Sequence, residues 1–203
     1  KKLIRREMPR RWWFTRLKLQ SKLAIIMTIL LIISGAVFVF LAEYDNPETL
    51  GNLSLGNKVM ASFFQSVTNR TAGFATISQN ALHTESKLFH CILMFIGGSP
   101  GGTAGGVKTT TIAMLFLACL TFVRGGNDTE CMGKKISVEN FRTGFCVVMA
   151  AFSVFTVGTI AILIIEPDTV PLVNVLYETA SAIGTVGLTA DLTPHLARAS
   201  QVV

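Results

Sequence analysis

The run Leu23–Ala42 holds 20 residues and no charged side chain. At about 1.5 Å per residue, a helix of that length covers the ~30 Å hydrocarbon core of a bilayer. Lipid offers the backbone no partners, so such a segment has to satisfy its own N–H and C=O groups as a helix. A second run, Phe145–Ile165, holds 21 uncharged residues. Soluble domains carry about a quarter charged residues; this chain of 203 residues is half apolar and 15% charged. A soluble helical protein with a basic tail is the bland alternative, and it leaves both runs hard to place.

Charge supplies the orientation. Nine of the 18 Lys and Arg lie in residues 1–22, around Trp12-Trp13. Basic residues beside an apolar run belong on the cytoplasmic side, with tryptophans at headgroup level. The rival, an arginine-rich nucleic-acid arm, fits the adjoining apolar run poorly, so no nucleic-acid partner is expected. Leu23–Ala42 then runs from inside to outside and ends in Glu43, Asp45, Pro47 and Glu48. Phe145–Ile165 ends in a comparable acidic turn, Glu166-Pro167-Asp168. Cys91, Cys119, Cys131 and Cys146 show no CxxC spacing, and His83, His90 and His195 no ligand spacing. No nucleophile–base pair suggests catalysis.

Between the runs, Asn57–Ile77 reads as a short helix stopped by a glycine-containing loop. Its apolar part, Val59–Val67, is too short to span, which predicts a re-entrant helix and loop covered by protein. A weaker copy returns as a helix over 171–182 and a loop over 183–189. Placing Gly73 on Gly187 puts Thr71-Ala72-Gly73-Phe74 over Thr185-Val186-Gly187-Leu188. Leu88–Val123 is apolar with Lys108 as its sole charge, but six glycines and Pro100 within Gly97–Gly106 cannot propagate a helix. The expectation is one crossing helix broken between Ile96 and Ile112. The fold class is thus an all-α polytopic membrane protein of helix–pore loop–helix units. Its expected divisions are a basic linker 1–22, a first unit 23–123 containing the broken helix, a cytoplasmic link 124–144, and a second unit 145–203 lacking its last helix. Both units point the same way, a parallel repeat.

Thr185-Val186-Gly187 begins the run that potassium channels use to present carbonyls to a dehydrated ion. Together, Asn69-Arg70-Thr71-Ala72-Gly73-Phe74, the Gly97–Thr111 insert and Ala182–Leu188 resemble the Trk/Ktr/HKT superfamily of potassium transporters, closest to the membrane subunit of bacterial Ktr systems. The resemblance covers essentially the whole chain, which looks like the C-terminal half: the third of four repeats and most of the fourth. It implies potassium uptake across a bacterial plasma membrane through a filter drawing on Asn69, Thr71, Ala72, Gly73 and Phe74, and on Gly184, Thr185, Val186, Gly187 and Leu188. The ion would be held at Thr71, Gly73, Thr185 and Gly187. The Gly-rich insert implies an intramembrane gate built from Gly97, Gly98, Ser99, Gly101, Gly102, Thr103, Gly105, Gly106 and Lys108. Also implied are a homodimer and a cytosolic ring of nucleotide-binding, RCK-type regulatory subunits. Potassium is the transported ion, sodium a candidate coupling ion, and no covalent cofactor is expected. Asn69 stands where Thr is usual, and Ala75 where Asn or Ser is common.

Two cations sit awkwardly in a cation pathway. Arg70 either reaches solvent at the outer mouth or points behind its loop to pair with a carboxylate, with Glu178 the best candidate. Lys108 either plugs the pathway below the filter or reaches the cytoplasmic interface and anchors its helix. The insert also nearly matches a P-loop: Gly101 and Gly106 are correctly separated, but Val107 occupies the Lys position. A membrane-associated P-loop ATPase is therefore the alternative function, with Leu88–Ile96 as its strand.

Overall fold

The computed structural model describes residues 17–125, 130–131, 134–135, 138–166 and 170–200. The basic residues before position 17 with the tryptophan pair, and Pro167 and Asp168 of the second acidic turn, lie outside the described residues. The fold is all-α: α1 Leu19–Ala42, α2 Leu55–Thr68, α3 Thr84–Phe95, α4 Thr109–Val123, α5 Val138–Ile165, α6 Leu172–Ile183 and a 3-10 turn Thr193–His195. Within the link, β1 Glu130–Cys131 pairs antiparallel with β2 Lys134–Lys135.

Helices α1 and α5 are long and apolar enough to cross a membrane. On α1, Leu31, Gly35 and Val39 are buried at four-residue intervals, while Ile29, Ile33, Val37 and Leu41 are exposed. That spacing makes one inward stripe. The stripe packs on α2, and a Cβ at Gly35 would collide with the Ser66 hydroxyl, which donates to the Ile32 carbonyl at 2.8 Å. Small residues bring helices close where no hydrophobic effect drives them together. The outward apolar faces of α1 and α5 suit lipid tails or a partner subunit, not water.

Two helices start earlier than expected. α5 begins at Val138, seven residues ahead of Phe145, because its first turns carry Glu139, Asn140 and Arg142 and continue the helix beyond the apolar span. α3 begins at Thr84 rather than Leu88. Its polar Ser86, Lys87 and His90 are buried, with Lys87 Nζ donating to Asn174 Oδ1 of α6 at 2.9 Å.

Glu43, expected on an acidic outer turn, is fully buried. It accepts from Asn46 Nδ2 (2.7 Å), Thr49 Oγ1 (2.8 Å) and the His83 amide (3.0 Å). A carboxylate can leave water only with its lone pairs engaged; here that engagement pins the C-terminal end of α1 to the start of α3. Helix α1 packs against α2, α3 and α4, α3 against α6, and α5 against α4 and α6. The α3–α6 contact joins the first unit to the second.

Candidate functional site

Each short helix ends on a right-handed cap, Asn69 or Gly184, and the backbone turns left-handed one or two residues later. After α2, Thr71 has φ +70° and Gly73 φ +77°; after α6, Thr185 has φ +51° and Gly187 φ +85°. The two loops thus share one alternation at the positions matched by sequence. A threonine resists positive φ, so something else holds it. In the first loop the Thr68 hydroxyl accepts from the Phe74 amide (2.8 Å) and donates to the Phe74 carbonyl (2.6 Å). In the second, the Val186 amide returns to the Ser181 carbonyl at 2.8 Å. Val186 and Leu188 are buried in an apolar cluster with Met94, Tyr177 and Ala180, while Thr185 and Gly187 between them are exposed. In the second loop, side chains anchored alternately on one side leave the intervening backbone to the other; in the first loop Ala72 and Phe74 are exposed instead.

The loops touch. A Cβ on Gly73 would run into the Val186 carbonyl oxygen. Behind them, Gln79 joins the two units: its Oε1 accepts from Gln65 Nε2 at 2.5 Å and from the Tyr177 hydroxyl at 2.8 Å. Sequence reading missed Gln65, Gln79 and Tyr177. Gln65, in the apolar part of its helix, was the one available signal; Gln79 sits between Ser78 and Asn80, and the pairing depends on the fold. A cavity of about 940 Å³ lies beside Thr185 and Gly187, lined by α5, α6 and the stretch from Thr193 to Ser200.

Arg70 and Glu178 do not pair. The Glu178 carboxylate accepts from the Thr189 hydroxyl (2.6 Å), the Ala190 amide (2.9 Å), the Leu192 amide (3.4 Å) and the Thr193 hydroxyl (2.6 Å). The chain after the second loop folds back over α6 and satisfies the carboxylate without a cation. Buried Nε of Arg70, and both side-chain polar atoms of fully buried Asn69, have no partner among the described residues.

The Gly-rich insert folds back between α3 and α4. The Val107 amide donates to the Phe95 carbonyl (2.9 Å) and the Thr109 amide to the Gly98 carbonyl (3.2 Å). Ser99 bonds the hydroxyls of Thr28 (3.0 Å) and Thr109 (3.1 Å). Gly97 lies against the Gly105 carbonyl, and the Gly105 amide donates to Thr185 Oγ1 at 2.9 Å. Gly101, Gly102 and Thr103 form the exposed tip. The Lys108 ammonium donates to the Ala104 carbonyl, bracing its own loop. A P-loop requires a strand before its glycines and free amides for phosphate; here α3 is a helix, and the amides of Gly105 and Val107 are engaged. The ATPase alternative is thereby removed.

Residues 4–203 match the TrkH family, described as cation transport protein. The chain is 34% identical over 190 residues to the Ktr system potassium uptake protein B of Bacillus subtilis, covering 94% of this chain and 42% of that protein. It is 31% identical over 190 residues to the Vibrio alginolyticus protein of the same name, covering 94% of this chain and 41% of that one. To the potassium/sodium uptake protein NtpJ of Enterococcus hirae it is 33% identical over 190 residues, 93% of this chain and 42% of that protein. The chain thus spans about two fifths of the length of these relatives. It belongs to the TrkH family, a family of cation transporters rather than enzymes.

Proposed function

We propose that this chain supplies two loops of a four-loop selectivity filter, and that the intact protein takes up potassium across a bacterial plasma membrane. The observation that carries the reading is the matched alternation at Thr71/Gly73 and Thr185/Gly187 in two loops that touch. Potassium must exchange its water shell for protein oxygens at similar energy, which backbone carbonyls turned to one side can provide. Helices α2 and α6 would aim their partly negative C-terminal ends at the ion, about half an elementary charge each before screening. The relatives' names, potassium uptake and potassium/sodium uptake, support the ion class. The order of elements supports reading 23–123 and 145–203 as third and fourth repeats. Sodium coupling, a homodimer and a nucleotide-binding cytosolic ring complete the proposal.

The insert is the gate, closed in this arrangement. Lys108→Ala removes the ammonium that braces it against Ala104. A hydrogen bond from a charged donor is worth about 1.5–3 kcal/mol, so rubidium uptake through the intact transporter in proteoliposomes should rise about ten-fold or more. Unchanged uptake counts against gating by this loop; absence of uptake in the unmodified protein counts against the pore.

A further inference from the structure

Resting on the pore reading, we propose that the Thr185 hydroxyl oxygen is contested between the Gly-rich loop and the permeating ion, so that potassium at this position displaces the loop. The amide of Gly105 donates to Thr185 Oγ1 at 2.9 Å. Thr185 is an exposed residue whose neighbour Val186 is buried, so the hydroxyl stands on the open side of the second loop. Its backbone is held left-handed at φ +51°, and the bond from the Gly105 amide shows where its hydroxyl oxygen lies.

A hydroxyl oxygen carries two lone pairs, but the two claimants do not share it at no cost. The amide hydrogen is the positive end of a dipole, aimed at the oxygen a cation would also approach. At this exposed position water screens that repulsion in part and does not abolish it. The fit is also tight: a Cβ on Gly105 would overlap Thr185 Oγ1 and come within 2.8 Å of the Gly184 carbonyl oxygen. An ion drawing on Thr185 therefore meets the loop's backbone directly. Linkage makes the effect reciprocal: if the ion loosens the loop, the docked loop weakens the ion to the same degree. The filter's occupancy is then itself an opening signal, acting on the gate through one oxygen.

Amide hydrogen exchange over residues 97–108 tests this in the intact transporter, with potassium chloride exchanged for choline chloride at constant ionic strength. Potassium should speed exchange at Gly105 by about ten-fold, the factor one hydrogen bond represents. Thr185→Val should exchange fast with or without potassium, and Thr185→Ser should keep the potassium response. Potassium-blind exchange in the unmodified protein overturns the proposal, as does slow exchange in Thr185→Val. Should Thr185→Val fail to assemble, Gly105→Ala separates the same two groups from the other side and should exchange fast in both salts; slow exchange there also overturns it. Rubidium uptake by the same preparations keeps the readings apart: uptake with potassium-blind exchange sinks the contested oxygen alone, while absence of uptake sinks the pore.

Discussion

Gly73→Ser should cost the intact transporter most of its preference for potassium over sodium. Two effects act together at this position. Its φ of +77° is costly for any residue with a Cβ, by about 1–2 kcal/mol. The new Cβ would also run into the Val186 carbonyl oxygen, so the two loops have to part. Carbonyls that have moved apart no longer match the larger ion, and a differential loss of about 2–3 kcal/mol is a thirty- to hundred-fold fall in selectivity. Competition of sodium against rubidium uptake measures it. Gly187→Ser is the internal comparison. Its φ is +85°, but nothing lies within 4 Å of the added Cβ. It should suffer the backbone strain without the collision and lose selectivity by about ten-fold. Equal losses at both glycines would mean that the contact between loops plays no part.

That ranking was not available from the sequence, where the two glycines are equivalent. Composition made the uncharged runs legible, because lipid-length apolar stretches admit one solution. The broken helix was legible for the opposite reason: six glycines and a proline forbid a continuous one. What sequence could not supply was whatever depends on a partner distant along the chain. The starts of α3 and α5 were placed late because Thr84–Lys87 and Val138–Gly144 are polar enough to pass for loop. Lys87 is accommodated because Asn174 accepts from it and the Glu43 carboxylate lies close enough to favour its charge. Gln79 looked unremarkable until the fold set it between Gln65 and Tyr177. Arg70 and Glu178 show the converse error. Charge alone suggested a pair, because local sequence does not reveal that Thr189–Thr193 turns back over α6 with two hydroxyls and two amides.

Glu178→Leu should therefore destabilise the protein by about 2–5 kcal/mol, since each buried amide left without an acceptor costs about 1–3 kcal/mol. Glu178 is 8% exposed and accepts four donors through two oxygens. Leucine fills the volume but leaves the Ala190 and Leu192 amides facing an apolar group; the hydroxyls of Thr189 and Thr193 can rotate away, the amides cannot. Glu178→Gln keeps an acceptor for those amides and should cost only about 1 kcal/mol, since the Thr193 hydroxyl can turn to accept from the new NH₂ group. Thermal unfolding in detergent separates the two variants. The same measurement decides whether Arg70 matters to this carboxylate. Arg70→Gln should leave the cost of Glu178→Gln unchanged to within about 0.5 kcal/mol, the additivity expected of sites that share no partner. Coupling well beyond that would mean that the guanidinium reaches Glu178 in the membrane-embedded protein. Additivity together with a severe Glu178→Leu would make the carboxylate a purely structural anchor. It would hold the chain that leaves the second loop in place, so that Val186 stays buried and its carbonyl stays against Gly73.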